Sequence, residues 1–529
     1  MKAFLRANGP LLAVVAVVAV PILRVAAVQY IDYDGWWHIF VSRAESLRMF
    51  HQDWHKTTHP PTFFLLLKVF SFLGTSLLAY RAIPIVSGLV SVFLVGRIAE
   101  RITASRTLGV LAAAAFGLSV PTLIVSCEVR SYTLAIAFVL VALDRYVSMI
   151  RLQSTTKDAV IFATATIGAI VSLYATALFL VAALLVPFFI AAVRADYRRS
   201  LLAHLRARKW ILAAAFAAPA PVLAAAYVHH MWQWTRPLEY NPGLYFEPAA
   251  DSWSSYLIRG VWKEFGLFSP VAIASQYALP LAIVLLVVAI AVLIVTLRAA
   301  DVSVATPAVL FLAILSGIVI LSYMGKFPFG GHLRHQFLLF PFMVLTIVSA
   351  ASLFARRRMV VAVLAVLIAA NALTGYRHYP IVRQPLYQEA VRKFRAVVPR
   401  ADLLYLDEFS TMAFFSEHHS WRWHLAGADS IHTLHYDLTK DGRTMRLVRV
   451  RDHWTFNLFD AALYRELRRT MDSHRATVAG LFALGDIPAG TATEDVRPRM
   501  VQAAMGQRLG IDAVVVDGQN VYARVSALR

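Results

Sequence analysis

The chain has 529 residues, of which 59% are hydrophobic and 16% charged, and its mean hydropathy is +0.61. Soluble domains are nearer a quarter charged, so this composition excludes an ordinary soluble enzyme, and the dominance of apolar residues excludes a disordered chain. Lys and Arg outnumber Asp and Glu by 51 to 31, a net charge of +20. In a membrane protein such an excess orients loops and contacts anionic lipid, so we expect the lipid bilayer, and not nucleic acid, as a partner. The single cysteine, Cys127, excludes an intrachain disulfide and a site with several thiolate ligands.

Apolar runs long enough to cross a bilayer as helices recur along the first 375 residues. We predict a polytopic α-helical membrane protein with about eleven transmembrane helices, supplemented by interfacial helices. The predicted spans are 9–29, 77–98, 107–125, 131–150, 158–172, 173–193, 210–229, 275–297, 303–324, 335–355 and 358–375. Residues 62–73 are apolar but too short to span and include Lys68, so they predict a helix that lies in the outer interface.

Lysine and arginine residues indicate the orientation. With a cytoplasmic N-terminus, every predicted cytoplasmic loop contains at least one of them, and the largest group falls at 194–209. An odd number of spans then places the C-terminal part outside. There, short apolar runs at 401–407 and 511–518 are separated by charged, helix-like stretches, which predicts a small α/β domain. We therefore expect a transmembrane core at 1–375 and an extracytoplasmic, periplasmic α/β domain at 376–529.

The first outer loop carries two carboxylates where the first helix leaves the bilayer. Asp32 and Asp34 stand beside Trp36 and Trp37 in the segment YIDYDGWW. A partly desolvated carboxylate is more basic, which suits it to remove a proton from a hydroxyl. The alternative is a pair of solvated loop acids beside an ordinary aromatic belt.

Three histidines in the same loop recur every four residues. On a continuous helix His51, His55 and His59 would share one face and could bind a divalent metal. Pro60 and Pro61 disfavour helical geometry at His59, so the polar face of an interfacial helix is the favoured interpretation. The sequence assigns no metal site and requires no cofactor, with a divalent metal as the less favoured alternative.

A second outer turn, SCEVRSYTL, contains Glu128, Arg130 and Tyr132 between two apolar spans. Charged residues at a membrane boundary pair with one another or line a polar cavity. The two interpretations here are a functional cavity and a local Glu–Arg pair that closes a tight turn.

A third outer turn, GKFPFGGHLRHQ, offers Lys326, His332 and Arg334. A guanidinium matches phosphate oxygens in bidentate geometry, and Gly330 and Gly331 would let the backbone approach a ligand closely. The alternative is a set of side chains that snorkel to the interface.

The outer loop at 230–274 is rich in aromatic residues suited to the headgroup level or to sugar stacking. We expect this loop and the loop at 30–76 to form interfacial helices that roof one amphipathic cavity, with simple anchoring as the alternative. The aromatic residues are Trp232, Trp234, Tyr240, Tyr245 and Trp253.

Four segments in order, YDGWWHIFVS, HPPTFFLLLKVF, EVRSYTLAIAF and HLRHQFLLFPFMVL, together resemble the motifs of one family. The chain resembles the GT-C superfamily of polyprenyl-phosphate-sugar-dependent glycosyltransferases. Within it, the chain looks like the bacterial relatives of protein O-mannosyltransferases and of the aminoarabinose and galacturonic acid transferases that modify lipid A or lipopolysaccharide core. The resemblance covers about residues 1–355. The chain departs from the family at Gly35, where a glutamate is usual, and at Gln336 and Phe337, where an Arg-Tyr pair is common.

The resemblance implies an inverting glycosyltransferase of the bacterial inner membrane. It would move a single sugar from a polyprenyl-phosphate donor to a hydroxyl of a glycan, glycolipid or protein acceptor of the cell envelope, on the outer face. Asp34, which aligns with the motif aspartate, would be the catalytic base, and Arg334 and Lys326 would bind the donor phosphate. The full set of expected substrate-binding residues is Asp32, His59, Glu128, Arg130, Tyr132, Lys326, His332 and Arg334.

The alternative function is a transporter or flippase of lipid-linked sugars without catalysis. Such a protein more often shows paired halves, broken helices and charges midway through spans. The sequence shows no such symmetry.

Overall fold

The computed structural model describes residues 2–230, 246, 252–268, 287, 290–299, 301–330, 332–354, 357–378, 387–428, 433–450, 456–485 and 487–528. The chain folds into two compact units. The first comprises Met1–Val28, Asp53–Phe72 and Ser76–Ile381, and the second comprises Gln29–Gln52, Leu73–Thr75 and Val382–Arg529. The second unit therefore contains most of the first predicted outer loop in addition to the predicted C-terminal domain.

Helices are numbered here along the whole chain. They are α1 (Lys2–Val28), α2 (Tyr33–Ser42), α3 (Leu47–Trp54), α4 (Thr62–Val69), α5 (Leu77–Tyr80), α6 (Ala82–Thr103), α7 (Arg106–Gly117), α8 (Val120–Cys127), α9 (Tyr132–Ile150), α10 (Thr156–Ser172), α11 (Ala177–Val193), α12 (Ala195–Ala217), α13 (Pro219–His229), α14 (Trp253–Phe268), α15 (Thr306–Tyr323), α16 (Leu333–Gln336), α17 (Phe340–Ala351), α18 (Arg357–His378), α19 (Gln388–Val397), α20 (Glu408–His418), α21 (Ala461–Ser473) and α22 (Thr493–Ala504). All those from α4 to α18 belong to the first unit, as does α1.

Within the described residues, seven helices are long and apolar enough to cross a bilayer. An eighth candidate arises if α7 and α8, which meet at 57°, form one broken span. The prediction of a polytopic helical membrane protein is confirmed. The number differs from the predicted eleven, because α10 has 17 residues and α17 has 12, which makes both shorter than the seven helices. The predicted span at 275–297 lies largely outside the described residues.

The bend between α7 and α8 follows from the local sequence. Ser119 caps α8, since its hydroxyl accepts a hydrogen bond from the Thr122 backbone N–H, and Pro121 occupies the first turn of that helix. Proline lacks the N–H that would continue the preceding helix and fits the first turn of a new one. The chain therefore starts a new helix in a new direction.

Small residues allow the membrane helices to pack closely. A Cβ at Gly96 would lie 3.0 Å from the carbonyl oxygen of Gly109, so the backbones of α6 and α7 meet at these two positions. Such close approach between apolar helices is typical of membrane interiors. The segment at 62–73 forms α4 followed by a 3₁₀ turn at Phe70–Leu73, so the predicted short helix is present. Its position in the membrane interface stays a prediction.

The second unit contains a seven-stranded mixed sheet, in the order β2-β3-β4-β1-β5-β7-β6. The strands are β1 (Leu403–Leu406), β2 (Arg422–Ala428), β3 (Thr433–Lys440), β4 (Arg443–Val450), β5 (Val478–Ala483), β6 (Leu509–Asp517) and β7 (Asn520–Ala527). Strand β1 pairs in parallel with β4 and β5, and the other pairs are antiparallel. The runs at 401–407 and 511–518 are β1 and β6, so the predicted α/β domain is confirmed.

Candidate functional site

The two aspartates of the first outer loop occupy different positions on α2, in the second unit. Asp32 is the N-cap: its Oδ1 accepts a hydrogen bond from the Gly35 backbone N–H at 2.9 Å. Asp34 lies in the first turn and is half-buried. Its backbone carbonyl accepts a 2.5 Å hydrogen bond from Nδ1 of His38. The Asp32 carboxylate therefore caps the start of α2, and Asp34 follows it in the first turn.

Aromatic side chains dock α2 onto α20 within the second unit. The ring of Trp36 lies 5.9 Å from that of Phe415 at 84°, and Phe40 lies 5.1 Å from Phe415 at 82°. Phe40 also contacts Trp423 of β2 and Tyr436 of β3, at 5.9 and 6.2 Å. Edge-to-face pairs of this kind are favourable beyond the apolar area that they bury. The helix that carries Asp34 is therefore an integral part of the second unit.

A buried ion pair supports the same helix. Arg449 of β4 is 0% exposed and Glu408, at the start of α20, is 2% exposed. The guanidinium donates from Nε to one carboxylate oxygen at 2.8 Å and from Nη2 to the other at 3.0 Å. It also lies over the rings of Trp37 and Phe40, at 5.3 and 4.9 Å from their centroids. Arg449 therefore connects α2, α20 and the sheet through charge and cation–π contacts.

Two tyrosines near the aspartates stay protonated. Burial, together with the negative charges of Asp32 and Asp34, raises the pKa of Tyr387 to about 12. Burial also raises the pKa of Tyr33 well above its usual value, and the charges of Glu408 and Asp34 act in the same direction. Around Asp34 the second unit thus presents neutral phenols, which can donate hydrogen bonds across the physiological pH range.

The remaining predicted site residues belong to the first unit, where Tyr132 joins three of the predicted motifs. Its ring lies 5.9 Å from that of His59, at 89°, and 6.4 Å from that of His335, at 54°. His335 in turn lies 5.6 Å from His332 and 6.0 Å from Phe327. Three segments that lie more than seventy residues apart in sequence thus meet at Tyr132, and two of these segments contact its ring through a histidine.

The turn before Tyr132 is tight. The backbone N–H of Arg130 donates to the carbonyl oxygen of Glu128 at 2.9 Å. The Arg130 side chain is 3% exposed and Glu128 is half-buried, so both predicted site residues lie inside the first unit. Helix α14 contacts both the preceding helix α8 and the short helix α16. The charged turn follows α8, and α14 connects α8 to α16, the helix that carries Arg334.

The third outer turn exposes its charges to different degrees. Lys326 and His332 are exposed, whereas Arg334, in α16, is half-buried. Gln336 is fully buried, and its Nε2 donates to the carbonyl oxygen of Pro328 at 2.8 Å. This departure from the family pattern thus has a structural role, because the glutamine closes the turn that begins at Lys326.

Gly330 serves the fold in a way that the sequence did not indicate. Its φ is +68°, and an added Cβ would lie 2.9 Å from Cβ of Lys263 and 3.1 Å from Cα of Gly260. The space beside Gly330 is therefore occupied by α14, and the expectation of room for a ligand there is wrong. Gly331 lies outside the described residues.

Helix α3 ends at Trp54, so His55 and His59 lie beyond it and the three histidines do not share one helical face. The Trp54 indole N–H donates to the carbonyl oxygen of His59 at 2.8 Å, which folds this segment into a loop. In the second aromatic loop, Trp253 stacks on Tyr323 at 4.7 Å. The other aromatic residues of that loop, Trp232, Trp234, Tyr240 and Tyr245, lie outside the described residues. That the two outer loops roof one cavity therefore stays a prediction.

Arg81 is a buried cation that the sequence analysis missed, because it stands at the start of an apolar span. It is 1% exposed; its Nε donates to the carbonyl oxygen of Cys127 at 2.5 Å and its Nη1 to that of Ala26 at 2.7 Å. These carbonyls lie in the last turns of α8 and α1, where backbone acceptors lack partners within their own helix. Arg81 therefore caps two helices near the charged turn at 128–132.

A second missed group surrounds His230, which is 1% exposed. The Tyr174 hydroxyl and Nδ1 of His230 are 2.9 Å apart, and the ring of Trp54 lies 4.5 Å from that imidazole. The only sequence signal was the pair of histidines at the end of α13, His229 and His230. Its location fixes the loop that leads to His59.

No protein-family model matches the chain, and no curated protein matches it. Among solved structures, the chain is similar to the crystal structure of ArnT from Cupriavidus metallidurans in the apo state, with a TM-score of 0.52 at 13% identity over 98% of each chain. The chain therefore has the fold of that ArnT. The same ArnT bound to undecaprenyl phosphate is also similar, with a TM-score of 0.47 at 13% identity over 98% of each chain. The similarity to the apo structure confirms the expected fold.

Proposed function

We propose that the chain is an inverting glycosyltransferase that moves one sugar from a polyprenyl-phosphate donor to a hydroxyl of a cell-envelope glycan, lipid or protein. The observation that carries this proposal is the meeting of His59, Tyr132 and His335, which come from three motifs that resemble those of GT-C enzymes. A fold like that of ArnT supports the same class. We place the reaction on the outer face of the bacterial inner membrane, with the N-terminus in the cytoplasm.

The chemistry needs one base and several cations. The acceptor hydroxyl oxygen attacks the anomeric carbon from the face opposite the phosphate, and the carbon–oxygen bond to the phosphate breaks with both electrons going to the leaving polyprenyl phosphate. Asp34 takes the hydroxyl proton, and its charge also favours the oxocarbenium-like transition state. A phosphate monoester leaves without protonation if cations stabilise its charge, so no general acid is required.

The cations come from the third outer turn in this proposal. Arg334 contacts the donor phosphate with its planar fork and Lys326 supplies a second charge. Arg334 is half-buried, so a charge-assisted contact there is less screened than at an open surface. Lys326 is exposed and can follow a mobile lipid headgroup.

The buried polar residues of the first unit shape the donor site. Arg130 and Glu128 organise the turn, while His59, Tyr132 and His332 contact the sugar or its phosphate. Tyr132 is 4% exposed and lies between two imidazoles, which suits it to position a ligand instead of reacting with it. No metal is assigned a role in this scheme.

The choice of Asp34 over Asp32 rests on the helix start. The Asp32 carboxylate accepts the Gly35 N–H, so one of its oxygens is committed to the helix start. Asparagine is as good an N-cap as aspartate, so Asp32→Asn keeps the helix start intact. The two isosteric substitutions therefore separate the capping role from the base role.

The test uses full-length protein in detergent with a polyprenyl-phosphate sugar and a hydroxyl acceptor. We expect Asp34→Asn to lower transfer by about 10²–10⁴, the usual contribution of a positioned base. Asp32→Asn should keep most of the activity. Equal transfer by the Asp34→Asn variant and the parent would remove Asp34 as the base.

The same preparation distinguishes the enzyme from a transporter. Parent protein that neither transfers nor hydrolyses the donor, but moves the lipid-linked sugar across vesicles, would replace this proposal with a flippase. Donor turnover without net movement supports the glycosyltransferase.

A further inference from the structure

A cavity lies away from the predicted site residues, between α9, α11 and α12 of the first unit. Its volume is about 220 Å³. Apolar side chains such as Met149, Leu184, Phe188 and Leu205 form most of the wall. Leu184 and Phe188 are also 46% and 52% exposed on the outside of the helix bundle, so the cavity opens sideways where lipid contacts the protein. Its shape and lining fit a segment of hydrocarbon chain.

Helix α12 also brings polar side chains to this cavity. His204 and Lys209 contribute to the lining, and Lys209 is exposed while His204 is half-buried. The Nε2 of His204 lies 3.5 Å from the hydroxyl oxygen of Ser154, in the loop after α9. A hydrocarbon chain in the cavity would therefore have a cation and an imidazole N–H where a headgroup begins.

One buried hydroxyl in the cavity wall would gain a hydrogen bond from a bound ligand. Tyr197 lines the wall and is 5% exposed, yet its hydroxyl makes no hydrogen bond with any described residue. The neighbouring Tyr146, on the same wall, donates to the carbonyl oxygen of Ala183 at 2.6 Å. A buried hydroxyl without a partner costs free energy, and an ester or phosphate oxygen of a bound lipid would supply the acceptor.

Helix α12 changes character at the mouth of the cavity. Arg208 has non-helical backbone angles, φ −129° and ψ 17°, and so marks a kink between a charged half and an apolar half. Trp210, just beyond the kink, is 76% exposed, and Nζ of Lys209 lies 5.3 Å from the centroid of its ring. Exposed tryptophan next to lysine is typical of the headgroup level of a bilayer. The kink therefore places the mouth where phosphates lie.

The charge of this segment selects anionic lipid. Between residues 194 and 209 Asp196 is the only acid, and it pairs with Arg194 at 2.6 Å. Arg198, Arg199 and Arg206 are exposed on the same helix. Basic clusters beside membrane helices attract anionic headgroups over zwitterionic ones.

We propose that this cavity binds one acyl chain of an anionic glycerophospholipid, with the lipid phosphate at Lys209 and His204 and an ester oxygen accepting from Tyr197. The site is separate from the proposed transfer site and does not depend on the glycosyltransferase proposal. By the predicted orientation it faces the cytoplasmic leaflet.

Native mass spectrometry of the full-length protein in detergent tests the proposal, with phosphatidylglycerol and phosphatidylcholine of identical chains as probes. We expect about tenfold more bound phosphatidylglycerol, and about a tenfold loss in Lys209→Glu, as for one lost charge-assisted contact. Ala213→Trp, which places an indole at the mouth, should also prevent retention, and Tyr197→Phe should weaken it several-fold. Each variant is first checked for an unchanged elution profile and melting temperature without lipid.

Arg199→Glu is the matched control, because it reverses a charge on the same helix at a side chain that does not line the cavity. It should retain most of the phosphatidylglycerol. An equal loss in Arg199→Glu and Lys209→Glu would show diffuse attraction to a basic helix and overturn the site. Retention in Ala213→Trp, or equal binding of phosphatidylcholine, would also overturn it, and displacement by polyprenyl phosphate at equal concentration would assign the cavity to a different lipid.

Discussion

Replacement of Arg449 by methionine tests how much the buried guanidinium stabilises the second unit and the position of α2 in it. The substitution leaves Glu408, which is 2% exposed, without the guanidinium that donates to both of its oxygens at 2.8 and 3.0 Å. Removing one partner of such a buried pair costs about 3–5 kcal/mol, because the other charge remains desolvated. The contacts with the rings of Trp37 and Phe40 are lost as well, so we expect the upper part of that range.

The double substitution Glu408→Gln with Arg449→Met removes both charges. Because no buried charge is then left uncompensated, we expect it to cost less than the sum of the two single substitutions, with a coupling of several kcal/mol in the cycle. The cap of α20 survives in every variant, since Asp407 accepts from the Ser410 N–H at 2.6 Å.

The assay follows thermal unfolding of the full-length protein in detergent together with transfer activity. Arg446→Met is the matched control: Arg446 lies on the same strand, is 55% exposed and is 3.9 Å from Asp437, a pair that contributes little. We expect a lower melting temperature in Arg449→Met only, and lower transfer, because α2 carries Asp34. Equal melting temperatures for the two variants, or strict additivity in the cycle, would refute the reasoning.

Two further predictions concern the donor phosphate and pH. Arg334→Ala should lower binding of the polyprenyl-phosphate donor by about tenfold or more. Arg334→Lys should restore part of that binding, because it keeps the positive charge but loses the planar fork of the guanidinium. Unchanged affinity and turnover in Arg334→Ala would show that Arg334 only anchors the helix at the membrane interface. Burial lowers the pKa of His418 from 6.5 to about 4. The unfolded chain then binds a proton that the folded chain does not, so stability should fall as the pH drops from about 6.5 to about 4. His418→Gln should flatten the melting temperature over that window, and identical pH profiles for variant and parent would contradict this.

The His418 prediction has a geometric basis. Its Nδ1 donates to the Phe414 carbonyl oxygen at 2.8 Å, and Nη2 of Arg395 lies 2.6 Å from its Nε2. Because a guanidinium can only donate, that Nε2 must be an unprotonated acceptor. A second proton would bring N–H against N–H beside a positive charge, which agrees with the lowered pKa.

Hydropathy alone predicted the helical membrane character and two of the strands, because both depend on local runs of apolar residues. It could not predict how long α10 and α17 are, since their limits depend on local capping. Thr155 and Asp158 form a capping box that starts α10 at Thr156, before the predicted 158, and Pro341 stands in the first turn of α17, which begins at Phe340 instead of 335. A window of mean hydropathy does not register such signals.

That α2 belongs to the second unit could not be predicted from the sequence, for a different reason. Trp36 and Phe40 contact Phe415, more than 370 positions away, and the same aromatic residues equally suit a membrane interface. The buried charges Arg81 and Arg449 were missed likewise, because their partners are backbone carbonyls and a carboxylate brought close only by folding. Sequence patterns identify residues whose role depends on their neighbours in sequence. They do not identify partners that only folding brings close together.

The DYD segment shows how the structure assigns different local roles to two acids that stand close together in sequence. By sequence, Asp32 and Asp34 are equivalent acids two residues apart. An N-cap residue must turn its side-chain oxygen back toward the first N–H groups of the helix, and Asp32 does so through Gly35. A carboxylate held in this way has one oxygen committed to the backbone, which suits it to a structural role. Asp34 is not the N-cap residue of α2, so the proposed base and the residue that caps the helix are different aspartates.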